Sequence, residues 1–114
     1  MTQLQLTARR VAQNQARFRE ANEGIEQAAL EYHVDGSLPF ICECSDPNCV
    51  EILRLKLADY EAVRATPTHF IYAPGHHRAA GGWGNVIERR DGYEVVAKLG
   101  DAAAVAEVLD PRSD

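Results

Sequence analysis

Phe40-Ile41-Cys42-Glu43-Cys44-Ser45-Asp46-Pro47-Asn48-Cys49 holds every cysteine in the chain and places a proline-centred turn before the last thiol. Thiolates are soft donors suited to tetrahedral metal sites, so three of them this close together can wrap one ion if the backbone between them reverses. Asp46-Pro47-Asn48 predicts that reversal. Pro47 pre-sets the second position of a type I turn, and Asp46 can accept hydrogen bonds from the amides that follow. Cys42 and Cys44 are expected to lie on a loop rather than a regular strand, so that both can face the same ion.

A fourth donor must come from elsewhere. In Ala73-Pro74-Gly75-His76-His77 a Pro-Gly bend would aim His76 inward and His77 away. The predicted metal site is therefore Cys42, Cys44, Cys49 and His76, a closed Cys3His set for zinc. His77 and His69 are the competing imidazoles, and His33 reads as a cap at the end of the first helix. Three other readings of the thiols stand beside this one. They could be buried free thiols, since cysteine packs as a small hydrophobe. They could form an open catalytic zinc site with Glu43, His77 or Glu51 as base. They could form a redox sensor, although Glu43 and Asp46 beside the sulfurs are expected to raise the thiol pKa values and blunt it. An iron–sulfur cluster would want a fourth cysteine. His-x-Glu with Pro-Cys-x-x-Cys, His-Glu-x-x-His, a phosphate loop and a nucleophile elbow are all absent, and no enzyme activity is expected.

Working outward, Val50 to Leu57 alternates as a half-buried strand with Leu53, Leu55 and Leu57 inward. Ala58 to Ala65 reads as a short helix closed by Pro67, and His69 to Ala73 as a strand delivering the chain to the Pro-Gly bend. Asn85 to Lys98 reads as a hairpin about a type I′ turn at Asp91-Gly92. Its predicted pairs run from Arg90 with Tyr93 through Arg89 with Glu94, Glu88 with Val95 and Ile87 with Val96 to Val86 with Ala97. Asp101 is expected to cap a final helix over 102–109, stopped by Asp110-Pro111. Trp83, in the glycine-rich Arg78 to Gly84 stretch, would be either a binding anchor or a ring folded back onto the core.

Toward the N-terminus, Thr7 to Tyr32 contains no proline and one glycine, which predicts a long helix. Leu4, Val11, Phe18, Ile25 and Tyr32 recur every seven residues, with Ala21 and Ala28 filling the stripe. That stripe predicts either a helix laid across a small sheet or a helix pair in a homodimer. Asp35-Gly36 and Leu38-Pro39 end the helix. Arg9, Arg10, Arg17 and Arg19, followed by Glu20, Glu23, Glu26 and Glu31, read as a solvated face.

The 114 residues, with net charge −5, leave room for one domain and weaken any case for nucleic acid. No apolar run is long enough to span a membrane, the N-terminus carries no signal-like segment, and a cytoplasmic location is expected. Three cysteines are an odd number for a disulfide framework, which also favours metal.

The residues Asn14 to Glu23, Phe40-Ile41-Cys42-Glu43-Cys44 with Cys49, Tyr60 to Arg64, Phe70 through Pro74-Gly75-His76 and Tyr93 to Lys98 together resemble a family of small, largely uncharacterised bacterial proteins, commonest in actinobacteria. The resemblance covers most of the chain from Asn14 onward. It implies that Cys42, Cys44, Cys49 and His76 form one recurring constellation, and it brings no activity with it. His77 stands where an acid is more usual, and the Gly81-Gly82-Trp83-Gly84 loop is a departure. The expected architecture is an α+β domain over residues 1–114. It comprises an N-terminal helix (1–35) on a small, mostly antiparallel sheet, a metal-binding core (38–77), and a hairpin with a C-terminal helix (85–109). The expected role is protein binding or regulation, through the helix stripe or the Trp83 loop.

Overall fold

A computed structural model describes residues 3–46, 48–77 and 84–112, without the side chains of residues 3–9, 11 and 12. The fold is α+β. Helix α1 (Gln3–Glu31) is followed by strands β1 (Ser37–Ile41) and β2 (Ile52–Lys56), helix α2 (Leu57–Arg64), strands β3 (His69–Tyr72), β4 (Gly84–Arg90) and β5 (Tyr93–Lys98), and helix α3 (Gly100–Val108). The strands form two antiparallel sheets, a β1-β2 pair and a three-stranded sheet in the order β3-β5-β4.

Strand β1 escaped the sequence reading, although Leu38 and Phe40 alternate with outward neighbours. Its Pro39 is tolerated because a two-stranded sheet has only edge strands. Strand β2 buries Leu53 and Leu55 against it, as alternation predicts, while Leu57 already begins α2. Tyr60 of α2 stacks on Phe40 with centroids 4.2 Å apart and planes 7° from parallel, joining the small sheet to the helix.

The hairpin pairs as expected from Arg90–Tyr93 through Glu88–Val95, and then the register shifts. Val86, not Ile87, lies opposite Val96, and Asn85, not Val86, lies opposite Ala97. Ile87 becomes the extra residue of a bulge and is left exposed. The turn also departs from type I′. Gly92 takes φ 88°, but Asp91 does not adopt positive φ, a pattern of type II rather than I′. Asp101 does not cap α3. The helix starts two residues earlier, with Leu99 at the N-cap, and Asp101 lies within the first turn, where its charge complements the helix dipole.

The principal correction concerns which face of α1 is buried. Its inward residues are Gln15, Arg19, Asn22, Glu23, Glu26 and Ala29, a stripe at helical spacing that is almost entirely polar. The apolar stripe lies roughly 100° round the helix at 100° per residue. Phe18 and Ile25 are half-buried, Ala21, Ala28 and Tyr32 are exposed, and Leu4 and Val11 fall outside the described side chains. Arg19 accordingly leaves the solvated face predicted for it. Its guanidinium carbon lies 3.6 Å from the centre of the Phe70 ring, and its Nη1 and Nη2 donate to the carbonyls of Pro67 and His69. Farther along α1, Glu23 accepts from Tyr60 Oη at 2.8 Å and pairs with Arg64 and Arg112, and Arg64 also pairs with Asp110. Polar pairing thus ties α1, α2 and the residues after α3 together.

The end of α1 explains His33. Its φ of 53° makes it the one non-glycine residue with positive φ among those described. The Val34 amide reaches back to the Ala29 carbonyl at 3.0 Å, the long bond of a Schellman cap. His33 therefore ends the helix through its backbone conformation.

Candidate metal centre

The donors come from two loops, each shaped by its own turn. Beyond β1 the chain leaves the regular ladder, although the Cys42 amide still donates to the Glu51 carbonyl at 3.0 Å and the Glu43 amide to the Ile71 carbonyl at 2.8 Å. The segment satisfies the expectation of a loop, but the alternation of extended chain is what serves it. Residues two apart share a face, so Cys42 and Cys44 converge while Glu43 points the opposite way. The reversal before Cys49 forms as predicted. Asp46 Oδ1 accepts from the Asn48 amide at 2.9 Å, and the Asp46 carbonyl accepts from the Cys49 amide at 3.1 Å. Pro47 itself lies outside the described residues.

The second loop follows β3. The His76 amide donates to the Ala73 carbonyl at 3.0 Å, with Pro74 and Gly75 between them and Gly75 at φ 85°. This is the type II arrangement, which requires positive φ at its third position and so favours glycine there. The turn delivers His76 Nδ1 to 3.6 Å from both Cys42 Sγ and Cys49 Sγ. Donor atoms of Cys42, Cys44, Cys49 and His76 all lie within 4.8 Å of one another, a Cys3His group positioned to hold a metal ion.

The competing imidazoles go elsewhere. His77 Nδ1 lies 3.1 Å from Glu94 Oε1, and His69 sits in β3, where its carbonyl accepts from Arg19. Glu94 braces the ligand loop, because the same Oε1 also accepts from the Gly75 amide at 2.9 Å and Oε2 accepts from Arg89 at 3.0 Å. Burial alone would push Glu94 up, but these donors hold its pKa below the ordinary value. The predicted Arg89–Glu94 cross-strand pair is thus present and serves the site. Glu51 is exposed, and its contribution is the carbonyl that receives Cys42. Trp83 lies outside the described residues.

Backbone amides reach the sulfurs, although burial raises the Cys49 pKa above its ordinary value. The Ala73 amide donates to Cys42 Sγ at 3.1 Å, and the backbones of Asp46 and Glu51 play the same part toward Cys44 and Cys49. The Cys42 thiol donates to Cys44 and lowers its pKa to about 5, against the opposing effect of burial. Cys42 is raised by that same contact and then by burial. The expectation that Glu43 would blunt the thiols is corrected, because its carboxylate faces away, toward α1. Asp46 helps through its amide rather than hindering through its charge.

Sequence reasoning missed the residues behind the ligands. Glu43 is fully buried. Its Oε2 accepts from Asn22 Nδ2 at 2.9 Å, and its Oε1 accepts from the Ile71 amide at 3.0 Å and Arg19 Nη2 at 3.4 Å. Its carbonyl accepts from Gln15 Nε2 at 3.0 Å. The same amide nitrogen of Gln15 reaches Tyr72 Oη, to which the buried Lys98 Nζ also donates. A polar stripe at positions 15, 19, 22 and 26 was the available signal, masked by the stronger apolar period beside it.

No protein-family profile, curated protein or solved structure matches the chain. Among the described residues, no helix is long and apolar enough to cross a membrane.

Proposed function

We propose that the chain is a small zinc-binding protein with a structural Cys3His site, acting as a non-enzymatic module that binds or regulates a protein partner. The observation that carries the zinc reading is the spacing of the donors. A tetrahedral zinc with bonds of about 2.3 Å to sulfur and 2.0–2.1 Å to nitrogen requires S···N edges of about 3.6 Å. Cys42 and Cys49 both stand at 3.6 Å from His76 Nδ1. Four protein donors close the coordination sphere, which favours a structural over a catalytic ion. Three thiolates against one dication leave a net charge of −1, offset by the backbone amides at the sulfurs.

The partner-binding reading is supported by the way α1 docks. Phe18 and Ile25 of its apolar stripe are half-buried, but the stripe ends on Tyr32 at 73% exposure, and Leu30 and Val34 on either side of it in sequence are 55% and 50% exposed. A reducing compartment such as the cytoplasm would keep the thiols available to the ion. Native mass spectrometry on untagged protein tests the site. One zinc in the wild type, lost in His76→Ala and kept in His77→Ala, is the expected result. No zinc in any form would overturn the reading.

A redox sensor is the second reading, favoured by the clustering of the three thiols and the partial exposure of Cys49. Two thiolates oxidised to a disulfide would reduce one peroxide to water and release the ion. Stoichiometric zinc release by one equivalent of peroxide would establish it, and resistance to a large excess would reject it.

A further inference from the structure

Glu43 lies between two metal donors in sequence, yet it contributes nothing to the donor set. Its carboxylate is instead held by Arg19 and Asn22 of α1 and by the Ile71 amide of β3, and its carbonyl by Gln15. Ile41, on the other side of Cys42, exchanges two further bonds with Asn22. Its amide donates to Asn22 Oδ1 at 2.7 Å, and its carbonyl accepts from Asn22 Nδ2 at 2.9 Å. Every one of these α1 contacts falls on a residue adjacent to a metal ligand. Gln15, Arg19, Asn22 and Glu43 are all at most 1% exposed, so the polar groups have no water to turn to if the loop moves. Buried polar groups left unpaired are costly, the more so when charged.

Resting on the zinc reading above, we propose that metal occupancy and the docking of α1 are one coupled equilibrium, with Glu43 as the latch. Closing four donors around an ion selects one path for residues 41–44. In the structure that path presents the Ile41 backbone and the Glu43 carboxylate to the helix. Without the ion, the loop is free to leave the path, and α1 loses the Ile41 and Glu43 partners of Gln15, Arg19 and Asn22. Coupling of this kind is reciprocal, so changes on α1 that touch no ligand must weaken zinc by the factor that zinc strengthens docking. The long helix thereby becomes the metal-dependent part of the molecule, and its polar face, Gln15, Arg19 and Asn22, becomes available for other contacts when the ion leaves.

The full chain tests this by zinc competition against a chromophoric chelator. Asn22→Ala and Glu43→Gln are expected to weaken zinc about 10-fold, the lower end of what outer-shell changes do to metal affinity. Val63→Ala is the control. Val63 is buried in α2, an element that supplies neither a metal donor nor a hydrogen-bond partner of Glu43, so this variant should melt earlier yet keep wild-type zinc affinity. Wild-type affinity in both Asn22→Ala and Glu43→Gln, or an equal loss in Val63→Ala, would overturn the coupling. Hydrogen exchange on the zinc-loaded and stripped wild type gives a readout independent of any variant. Stripping should deprotect α1 over residues 15–29 while the β4–β5 hairpin stays protected. Unchanged α1, or equal loss in both regions, would overturn the proposal. A wild type that takes up no zinc would instead remove the zinc reading on which it rests.

Discussion

Lys98 is buried at the end of β5, with its ammonium close to Tyr72 Oη and 5.3 Å from the centre of the Phe70 ring. Among the described residues, no carboxylate pairs with it directly. Burial lowers its pKa from 10.5 to about 7, with the Glu43 and Cys44 charges pulling it up and Arg19 pushing it down. The linkage sign follows from proton counts. Between about 7 and 10.5 the unfolded chain holds a proton that the folded protein has released, so this group makes stability rise with pH across that window. Below it, the folded state carries the full penalty of a buried ammonium. At 1.36 kcal/mol per pH unit, a pKa lowered this far corresponds to roughly 5 kcal/mol. Lys98→Met removes the charge, keeps the aliphatic stem, and forfeits a hydrogen bond worth about 1–2 kcal/mol. Tyr72 keeps Gln15, and burial raises the Tyr72 pKa, so the phenol stays protonated throughout. The variant should therefore be about 2–3 kcal/mol more stable than the wild type near pH 6.5, with the gain vanishing by about pH 10. Urea unfolding of the zinc-loaded proteins at several pH values measures it. A variant less stable than the wild type at pH 6.5, or a difference constant with pH, would refute the reasoning.

Other substitutions probe the turns and the polar stripe. His33→Gly places the residue best suited to positive φ at the Schellman cap and should add about 0.4–1 kcal/mol, read as a melting temperature a few degrees higher. Gly75→Ala puts a Cβ where φ is 85°, and should cost about 1–2 kcal/mol while weakening zinc in the same competition assay, since the strained turn carries His76. Gly84→Ala should destabilise by about 1–3 kcal/mol in denaturant titration, because the new Cβ would stand 2.7 Å from Val96 Cγ1 and 3.3 Å from the Ala97 carbonyl. Tyr60→Phe keeps the stack on Phe40 but leaves buried Glu23 one donor short, and should cost about 1–2 kcal/mol in the same titration.

The four donors were legible because their geometry is local. Asp46-Pro47 and Pro74-Gly75 are turn chemistry that acts within four residues, whereas the convergence of Cys42 and Cys44 was expected from a loop that breaks strand geometry and is instead served by extended alternation, which puts residues two apart on one face. Strand β2, α2, β3 and the hairpin were legible for the same reason. The bulge at Ile87 was not, because counting outward from Asp91-Gly92 assumes one residue opposite each partner, and nothing in Val86-Ile87-Glu88 marks the extra one. The docking face of α1 was missed for a different physical reason. Hydrophobic period identifies the face that burial favours on transfer from water, whereas Gln15, Arg19 and Asn22 are buried by hydrogen bonds to groups 19 to 57 residues away in the chain. No local pattern carries such partners.

That difference bears on why the molecule would use a polar seam at all. An apolar stripe packed on a sheet would hold α1 in place wherever the metal loop went, since hydrophobic contact is non-directional. Hydrogen bonds to Ile41 and Glu43 hold it only while the loop keeps one conformation, because each donor needs its acceptor at the right distance and angle. A seam of this kind makes helix docking depend on the backbone path beside Cys42 and Cys44. If metal occupancy and α1 docking are coupled as proposed, the hydrogen bonds of Gln15, Arg19 and Asn22 are what would carry the state of the metal loop to the helix, which a purely apolar seam could not do.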